Sequence, residues 1–262
     1  HISVRNDDGV AYLEAMSPVD CIFLDPARRN EHGGKTVAIS DCEPNVAKLE
    51  GLLLSKANRI MIKLSPMLDL SQALKELPHT QEVHIISVNN ECKELLLLLG
   101  QTAPEEIPVH CVNLSTKGEQ EKQLFVFTRE QEQHSECSYT DTLGNYLYEP
   151  NASLLKAGAF RSIAAAYSAK KLHPNSHLYT SDTQIEGFPG RTFRIINRCS
   201  LNKKEIKENL SDLKKANITV RNFPATVAEL RKRIKLAEGG DTYLFASTLN
   251  DGQKILIRCG KV

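Results

Sequence analysis

Tryptophan is absent from the 262-residue sequence, and so are the patterns that mark membrane and secreted proteins. No apolar run reaches the about 18 residues that a transmembrane helix needs, and the amino-terminal residues lack the pattern of a secretory signal peptide. We therefore expect a cytoplasmic protein without a membrane partner. Since the sequence begins with histidine instead of methionine, it is interpreted as a fragment or a processed product.

Cysteine is present, but it is not arranged for metal binding or for disulfides. The seven cysteines are scattered between positions 21 and 259, and no two of them form a CxxC pair. Zinc sites and disulfide frameworks depend on characteristic cysteine spacings, so we predict reduced thiols and no metal site. His173 and His177 are spaced so that both could bind a metal, but no third ligand is evident, which favours a hydrogen-bonded loop.

Charge is unevenly distributed along the chain, although the formal net charge is only +1. Residues 1–136 contain 13 Lys and Arg against 21 Asp and Glu, whereas residues 187–262 contain 16 against 7. This asymmetry favours two domains with different partners. A small, strongly basic region is typical of phosphate and nucleic-acid binding; the alternative is a solvated, lysine-rich helix surface.

The most informative stretch of the acidic half is residues 19–30, Val-Asp-Cys-Ile-Phe-Leu-Asp-Pro-Ala-Arg-Arg-Asn. Its apolar run predicts a strand that ends at Asp25, because the following proline cannot donate a hydrogen bond to a sheet. Ligands of open α/β sheets bind at the carboxyl ends of strands. Asp25, followed by Arg28 and Arg29, is therefore a candidate site, and the alternative is an Asp-Pro turn beside a solvated arginine pair.

Strand and helix patterns alternate through residues 1–128, which predicts a parallel sheet with crossover helices. Segments 109–114 and 123–128 are predicted to form a final antiparallel pair, and residues 1–8 alternate like a strand. The leucine-rich segment 92–99 fits either an apolar helix or a buried strand. No GxGxxG-type loop follows a strand within residues 1–130, so the half of a doubly wound fold that holds a nucleotide is not expected in this chain.

The pattern changes after the polar segment 130–138. Residues 146–222 follow the order βαββαβ of a ferredoxin-like fold, with a long alanine-rich helix over 151–172. A basic helix over 226–234 and a hairpin across residues 250–252 complete the chain. We predict a first domain over 1–132, a ferredoxin-like segment over 137–186 and a further basic domain over 187–262.

Several short strings resemble one protein family. The Asp-Pro-Ala-Arg turn at 25–28 resembles motif IV of class I S-adenosylmethionine-dependent methyltransferases, where such a turn ends the fourth strand and faces the methyl group. Further strings lie at 41–45, 62–66, 88–93, 148–151, 172–177 and 218–224. Along nearly its whole length the sequence is similar to bacterial methyltransferases with a carboxyl-terminal THUMP-like domain. The resemblance implies an α/β fold, in which a partial Rossmann-like methyltransferase sheet precedes an α+β ferredoxin-like and THUMP-like domain.

The resemblance also implies a cofactor and a chemistry. S-adenosylmethionine is the implied cofactor, with Asn6 and Asp7 at the adenine and Asp25 beside the methyl group. We expect this chain alone to bind the cofactor weakly or not at all. The fragment is therefore expected to be inactive. Asp25 and the Pro26 carbonyl would accept the N–H groups of an amine substrate. Arg28 stands where the family has an aromatic residue, and it would stack on a base or hold a phosphate.

The implied substrate is RNA, such as tRNA or rRNA, because THUMP-type modules in related proteins hold structured RNA. The predicted RNA-binding residues are Arg29, Lys63, Ser65, Arg221, Arg231, Lys232 and Arg233. Residues 63–66 contain no cysteine, which disfavours the covalent mechanism of RNA uracil-C5 methyltransferases. Alternatives are a non-catalytic RNA- or protein-binding module on a degenerate Rossmann scaffold, and a small-molecule methyltransferase. A homodimer through an exposed sheet edge is a further expectation.

Overall fold

The computed structural model describes residues 1–28, 38–116 and 122–262. They form two compact units: unit 1 contains residues 1–130 and 152–158, and unit 2 contains residues 131–151 and 159–262. The helices are α1 (Gly9–Ala15), α2 (Val46–Lys56), α3 (Leu70–Glu76), α4 (Arg129–His134), α5 (Ala152–Ala157), α6 (Arg161–Ala166), α7 (Lys203–Leu210) and α8 (Val227–Ile234). The strands of unit 1 are β1 (Val19–Leu24), β2 (Ala27–Arg28), β3 (Cys42–Glu43), β4 (Ala57–Leu64), β5 (Thr80–Val88), β6 (Glu91–Gly100), β7 (Pro108–Leu114) and β8 (Lys122–Thr128). None of the helices in these described ranges is both long and apolar enough to cross a membrane.

Unit 1 is built on a mixed sheet, which in the described residues has the strand order β1-β4-β6-β5-β7-β8. β1 is parallel to β4, and β5 is parallel to β7. β6 runs antiparallel between β4 and β5, and β8 runs antiparallel to β7. The prediction of a final antiparallel pair is confirmed, but the prediction of an otherwise parallel sheet is wrong at β6.

The leucine-rich segment forms a strand because a tight hairpin precedes it. Asn89 and Asn90 connect β5 to β6 with φ angles of 50° and 64°, and positive φ at both central residues is what a two-residue type I′ hairpin requires. Along β6 the alternate side chains of Leu95, Leu97 and Leu99 are buried, as the period of two in a strand dictates. The alternative of an apolar helix is therefore wrong.

The structure contradicts two local predictions, the strand over residues 1–8 and the long helix over residues 151–172. Residues 1–8 form no strand, since no described strand lies beside them to complete the hydrogen bonds; Asp8 instead caps α1 and accepts the N–H groups of Val10 and Ala11 at 2.9 Å. The long helix over 151–172 is also wrong. Gly158 adopts a φ of 75°, a conformation that ends a helix, and the chain forms the two short helices α5 and α6.

Unit 2 contains a second mixed sheet. Its strands are β9 (Tyr146–Pro150), β10 (Lys170–Lys171), β11 (Tyr179–Ser181), β12 (Gly190–Cys199), β13 (Asn217–Arg221), β14 (Thr242–Thr248) and β15 (Lys254–Lys261). In the described part of the chain their order is β10-β11-β9-β12-β15-β14-β13. Phe245 of β14 packs in one apolar cluster, while its neighbours Leu244 and Ala246 pack in another. Because successive side chains of a strand point to opposite faces, apolar side chains cover both faces of this sheet.

β1 lies at an edge of the unit 1 sheet within the described residues, and the side chain of Phe23 on this strand is 58% exposed. Unpaired strand edges favour association with another chain. A homodimer through this edge stays a prediction.

Candidate functional site

The Asp25 turn lies where β1 leaves the sheet. β1 is parallel to β4, and Leu24 is the register partner of Ile62, so the carboxyl ends of both strands reach the same edge. Lys63 Nζ lies 2.6 Å from Asp25 Oδ2 and 3.8 Å from Glu94 Oε2 of β6. The Asp25 side chain is 54% exposed, while Pro26 is buried. The edge therefore presents an accessible carboxylate that an ammonium group orients.

The residues after the turn fold back onto the chain. Ala27 and Arg28 form β2, which pairs with β3 so that Arg28 is the register partner of Cys42. Arg29 lies outside the described residues. Ser65, which follows β4, accepts the backbone N–H of Met67 at 3.2 Å through its hydroxyl, so it shapes the turn that leads to α3.

A second feature of unit 1 surrounds Asp7. An open pocket of about 390 Å³ is lined by Ser3, Arg5, Asp7, Gly9 and Tyr12. The guanidinium of Arg5 stands 4.9 Å from the centre of the Tyr12 ring, an arrangement typical of a cation–π contact. Asn6 is exposed and is not part of the pocket lining. A carboxylate, a guanidinium and an aromatic ring thus meet at one small pocket.

A buried carboxylate organises the polar centre of unit 2. Glu149 is 2% exposed, and it accepts hydrogen bonds from Arg191 and Arg221. Arg191 Nε lies 2.9 Å from Glu149 Oε2, and Arg221 Nη2 lies 2.9 Å from Glu149 Oε1. Arg221, predicted from the sequence as an RNA contact, is therefore held by a carboxylate, although 36% of its side chain stays exposed.

The His173–His177 loop lies beside this centre and is hydrogen-bonded, as its sequence favours. His173 Nδ1 accepts the backbone N–H of Asn175 at 3.0 Å and lies 2.9 Å from Nδ2 of Asn222. The His177 ring stacks on Phe160 with 3.7 Å between ring centres. Burial lowers the pKa of His177 to about 4, and the positive charges of Lys171 and Arg221 contribute to the shift. His177 is therefore neutral at pH 7.

Three predicted RNA contacts lie on α8. This helix begins with a capping box, in which Thr226 Oγ1 accepts the N–H of Glu229 at 3.2 Å. Arg231 donates to the carbonyl of Ala216 at 3.3 Å, and Arg233 donates to the carbonyl of Leu201 at 2.7 Å. Lys232 is exposed. Arg231 and Arg233 therefore also form structural hydrogen bonds to the backbone. Lys232 is the best residue for testing the role of surface charge, because it is exposed.

Sequence analysis assigned no role to Glu94, Glu149 or Arg191. The position of Glu94 depends on β6, whose type the sequence left open. Glu149 was visible as an acid inside an apolar strand pattern, and such an acid needs a partner, but the sequence does not tell which arginine supplies it.

Comparison with known proteins finds two families that match the second half of the chain. Residues 146–189 match the family described as a ferredoxin-like domain, and residues 190–261 match the family described as THUMP domain-like. Together the two matches cover residues 146–261. Strand β9 of the first region pairs with β12 of the second, so both contribute to one sheet. No protein of curated function matches the chain.

The chain is also similar to a crystal structure named "putative methyltransferase" from Porphyromonas gingivalis W83, with 40% sequence identity and a TM-score of 0.84. The similarity covers 93% of this chain and 60% of that one; the chain therefore spans about 60% of the length of its solved relative. These matches confirm the family resemblance and the fold class inferred from the sequence: a mixed α/β sheet precedes a ferredoxin-like and THUMP-like region.

Proposed function

We propose that the protein containing this chain transfers a methyl group from S-adenosylmethionine to RNA. The observation that carries the proposal is the exposed Asp25 carboxylate at the carboxyl end of β1, oriented by Lys63 at 2.6 Å, in a chain 40% identical to a protein named for methyl transfer. The THUMP-like region and the excess of Lys and Arg in residues 187–262 support RNA as the substrate.

The proposed chemistry assigns roles to the residues of unit 1. S-adenosylmethionine supplies an electrophilic methyl group when bound, and the pocket at Asp7 has a carboxylate acceptor and an aromatic ring that suit a contact with its adenine. Lys63 holds Asp25 Oδ2, and we assign to Asp25 Oδ1 and the Pro26 carbonyl the role of accepting N–H groups of the substrate amine. Fixing the amine in this way aims its lone pair at the methyl carbon, and positioning accounts for much of catalysis in such reactions.

Asp25→Asn in the whole protein is expected to lower kcat/KM for methyl transfer at least about tenfold, because the amide replaces one acceptor by a donor. The measurement is incorporation of radiolabelled methyl groups from S-adenosylmethionine into a mixed tRNA and rRNA pool. Asp20→Asn is the matched control, since Asp20 is an exposed acid on the same strand and should leave the rate unchanged. Equal rates for wild type and Asp25→Asn would contradict the role of Asp25.

The RNA half of the proposal is tested by binding of the 262-residue chain to a mixed tRNA pool, followed by fluorescence anisotropy at two salt concentrations. Lys232→Glu is expected to weaken binding several-fold and to reduce the salt slope by about one. Lys48→Glu reverses an exposed charge in the acidic half and serves as the control. Absence of binding at low salt would overturn RNA as the partner, whereas binding without methyl transfer by the whole protein would favour a binding module.

A further inference from the structure

Two histidines and a glutamate converge on one face of the unit 1 sheet. Glu82 and His84 are two residues apart on β5, so both side chains point to the same face. His110 of the parallel neighbour β7 is the register partner of His84. The two imidazole rings stack with 4.4 Å between their centres and 9° between their planes. Backbone register alone thus places three potential metal ligands side by side.

The donor atoms of this group are spaced for a single ion. His84 Nε2 lies 3.1 Å and His110 Nε2 lies 3.8 Å from Glu82 Oε2, and the three ligand atoms lie within 4.8 Å of one another. Bonds of about 2.0–2.2 Å in a tetrahedral zinc site place two ligand atoms about 3.3–3.6 Å apart. The separations of 3.1 Å and 3.8 Å from Glu82 Oε2 lie on either side of this range.

We propose that Glu82, His84 and His110 form a binding site for a divalent transition-metal ion such as Zn²⁺. Imidazole nitrogens select such ions over Mg²⁺ and Ca²⁺, which prefer oxygen ligands. Three protein ligands leave a fourth tetrahedral position for water, an arrangement typical of sites that bind an exchangeable ligand. The site goes beyond the methyl-transfer proposal and does not depend on it.

The electrostatics of the group favour a bound cation. Burial lowers the pKa of His110, and a charge on His84 and the ammonium of Lys122 on β8 lower it further, while Glu82 opposes the shift. Neutral imidazole is the form that binds a metal, and the Glu82 carboxylate lies beside both rings. Two protonated rings at this distance would repel each other, whereas one shared cation satisfies both nitrogens and the carboxylate.

Little in the amino-acid sequence points to this group. The Glu-x-His pattern at 82–84 is visible in the sequence, but His110 follows at a distance that matches no zinc motif. The prediction of no metal site rested on the absence of cysteine pairs, and it considered only the histidines at 173 and 177.

The test is titration of the reduced 262-residue chain with Zn²⁺ by calorimetry and with Co²⁺ by visible absorption. One equivalent should bind, and His110→Ala and Glu82→Gln should each weaken binding by at least about tenfold. Thiolate ligands give Co²⁺ an intense near-ultraviolet band, so its absence separates this site from the seven cysteines. His1→Ala and His134→Ala are controls, because they remove a terminal chelating group and an exposed histidine outside the site.

Proton competition provides a second measurement on the unmodified chain. Affinity should fall as the pH is lowered, since protons compete with the metal ion for imidazole nitrogens. Glu82→Gln keeps the shape of the side chain, and circular dichroism of each variant establishes that it is folded. Unchanged affinity in folded Glu82→Gln and His110→Ala, or no Zn²⁺ binding by wild type at millimolar concentration, would overturn the proposal and leave a hydrogen-bonded Glu-His pair.

Discussion

Glu149→Ala is expected to destabilise unit 2 by about 3 kcal/mol, because it leaves two guanidinium groups facing each other without their carboxylate. Removal of one partner from a buried ion pair costs about 3–5 kcal/mol when the remaining charge is buried. The side chains of Arg191 and Arg221 are 38% and 36% exposed. The expected loss of stability therefore lies near the lower limit of this range. Urea denaturation followed by circular dichroism measures the loss, and the melting temperature should fall by roughly 10 °C.

Three further variants separate the carboxylate from general effects of substitution. Glu186→Ala removes an exposed acid of the same unit and should change stability by less than about 0.5 kcal/mol. Glu149→Gln keeps the volume but loses the charge, so it should lie between wild type and Glu149→Ala. Arg221→Ala should destabilise less, since Arg191 still pairs with the acid. A loss below about 1 kcal/mol for Glu149→Ala would show that other contacts hold the two arginines.

Gly190→Ala is expected to destabilise the same sheet by about 3 kcal/mol through steric overlap. A Cβ atom at position 190 would lie 2.1 Å from the backbone oxygen of Glu149 and 2.9 Å from Cα of Pro150. Gly190 is the register partner of Pro150 in the pairing of β12 with β9, so relief requires two paired strands to separate. The urea midpoint of the variant gives the size of the effect.

Gly260→Ala is the matched control, because it adds the same methyl group to another strand of this sheet. Its Cβ atom would have Ile196 Cδ1 as its nearest neighbour, at 3.9 Å. We expect little change or a gain of up to about 1 kcal/mol, since alanine has less backbone freedom to lose than glycine. Equal stabilities of the two variants would refute the steric argument for position 190.

The parts of the fold that depend on local patterns follow from the sequence. β1 ends at Leu24, directly before the predicted end at Asp25, because the Asp-Pro turn stops the strand. The proximity of Asp25 and Lys63 follows as well, since both come at the carboxyl ends of neighbouring parallel strands. The prediction that these residues serve catalysis and substrate binding stays a prediction.

Features that depend on distant partners could not be predicted in this way. The direction of β6 follows from its insertion between β4 and β5, and five consecutive leucines fit several environments equally well. Arg221 has the pattern of a surface cation, but Glu149, 72 positions away, determines its contacts. The break at Gly158 depends on a backbone angle of 75°, whereas glycine inside an alanine-rich segment is also compatible with a continuous helix.

The place of β6 has a consequence for the order in which the chain assembles. β4 has β1 on one side and β6 on the other, so its second side gains a partner only after Gly100 has been synthesised. The β5–β6 hairpin, closed by a two-residue turn, is local and forms fast compared with long-range pairing. During translation β4 therefore keeps one unpaired edge until the β5–β6 hairpin has formed. If the ribosome pauses between Leu64 and Gly100, that edge stays exposed to other nascent chains.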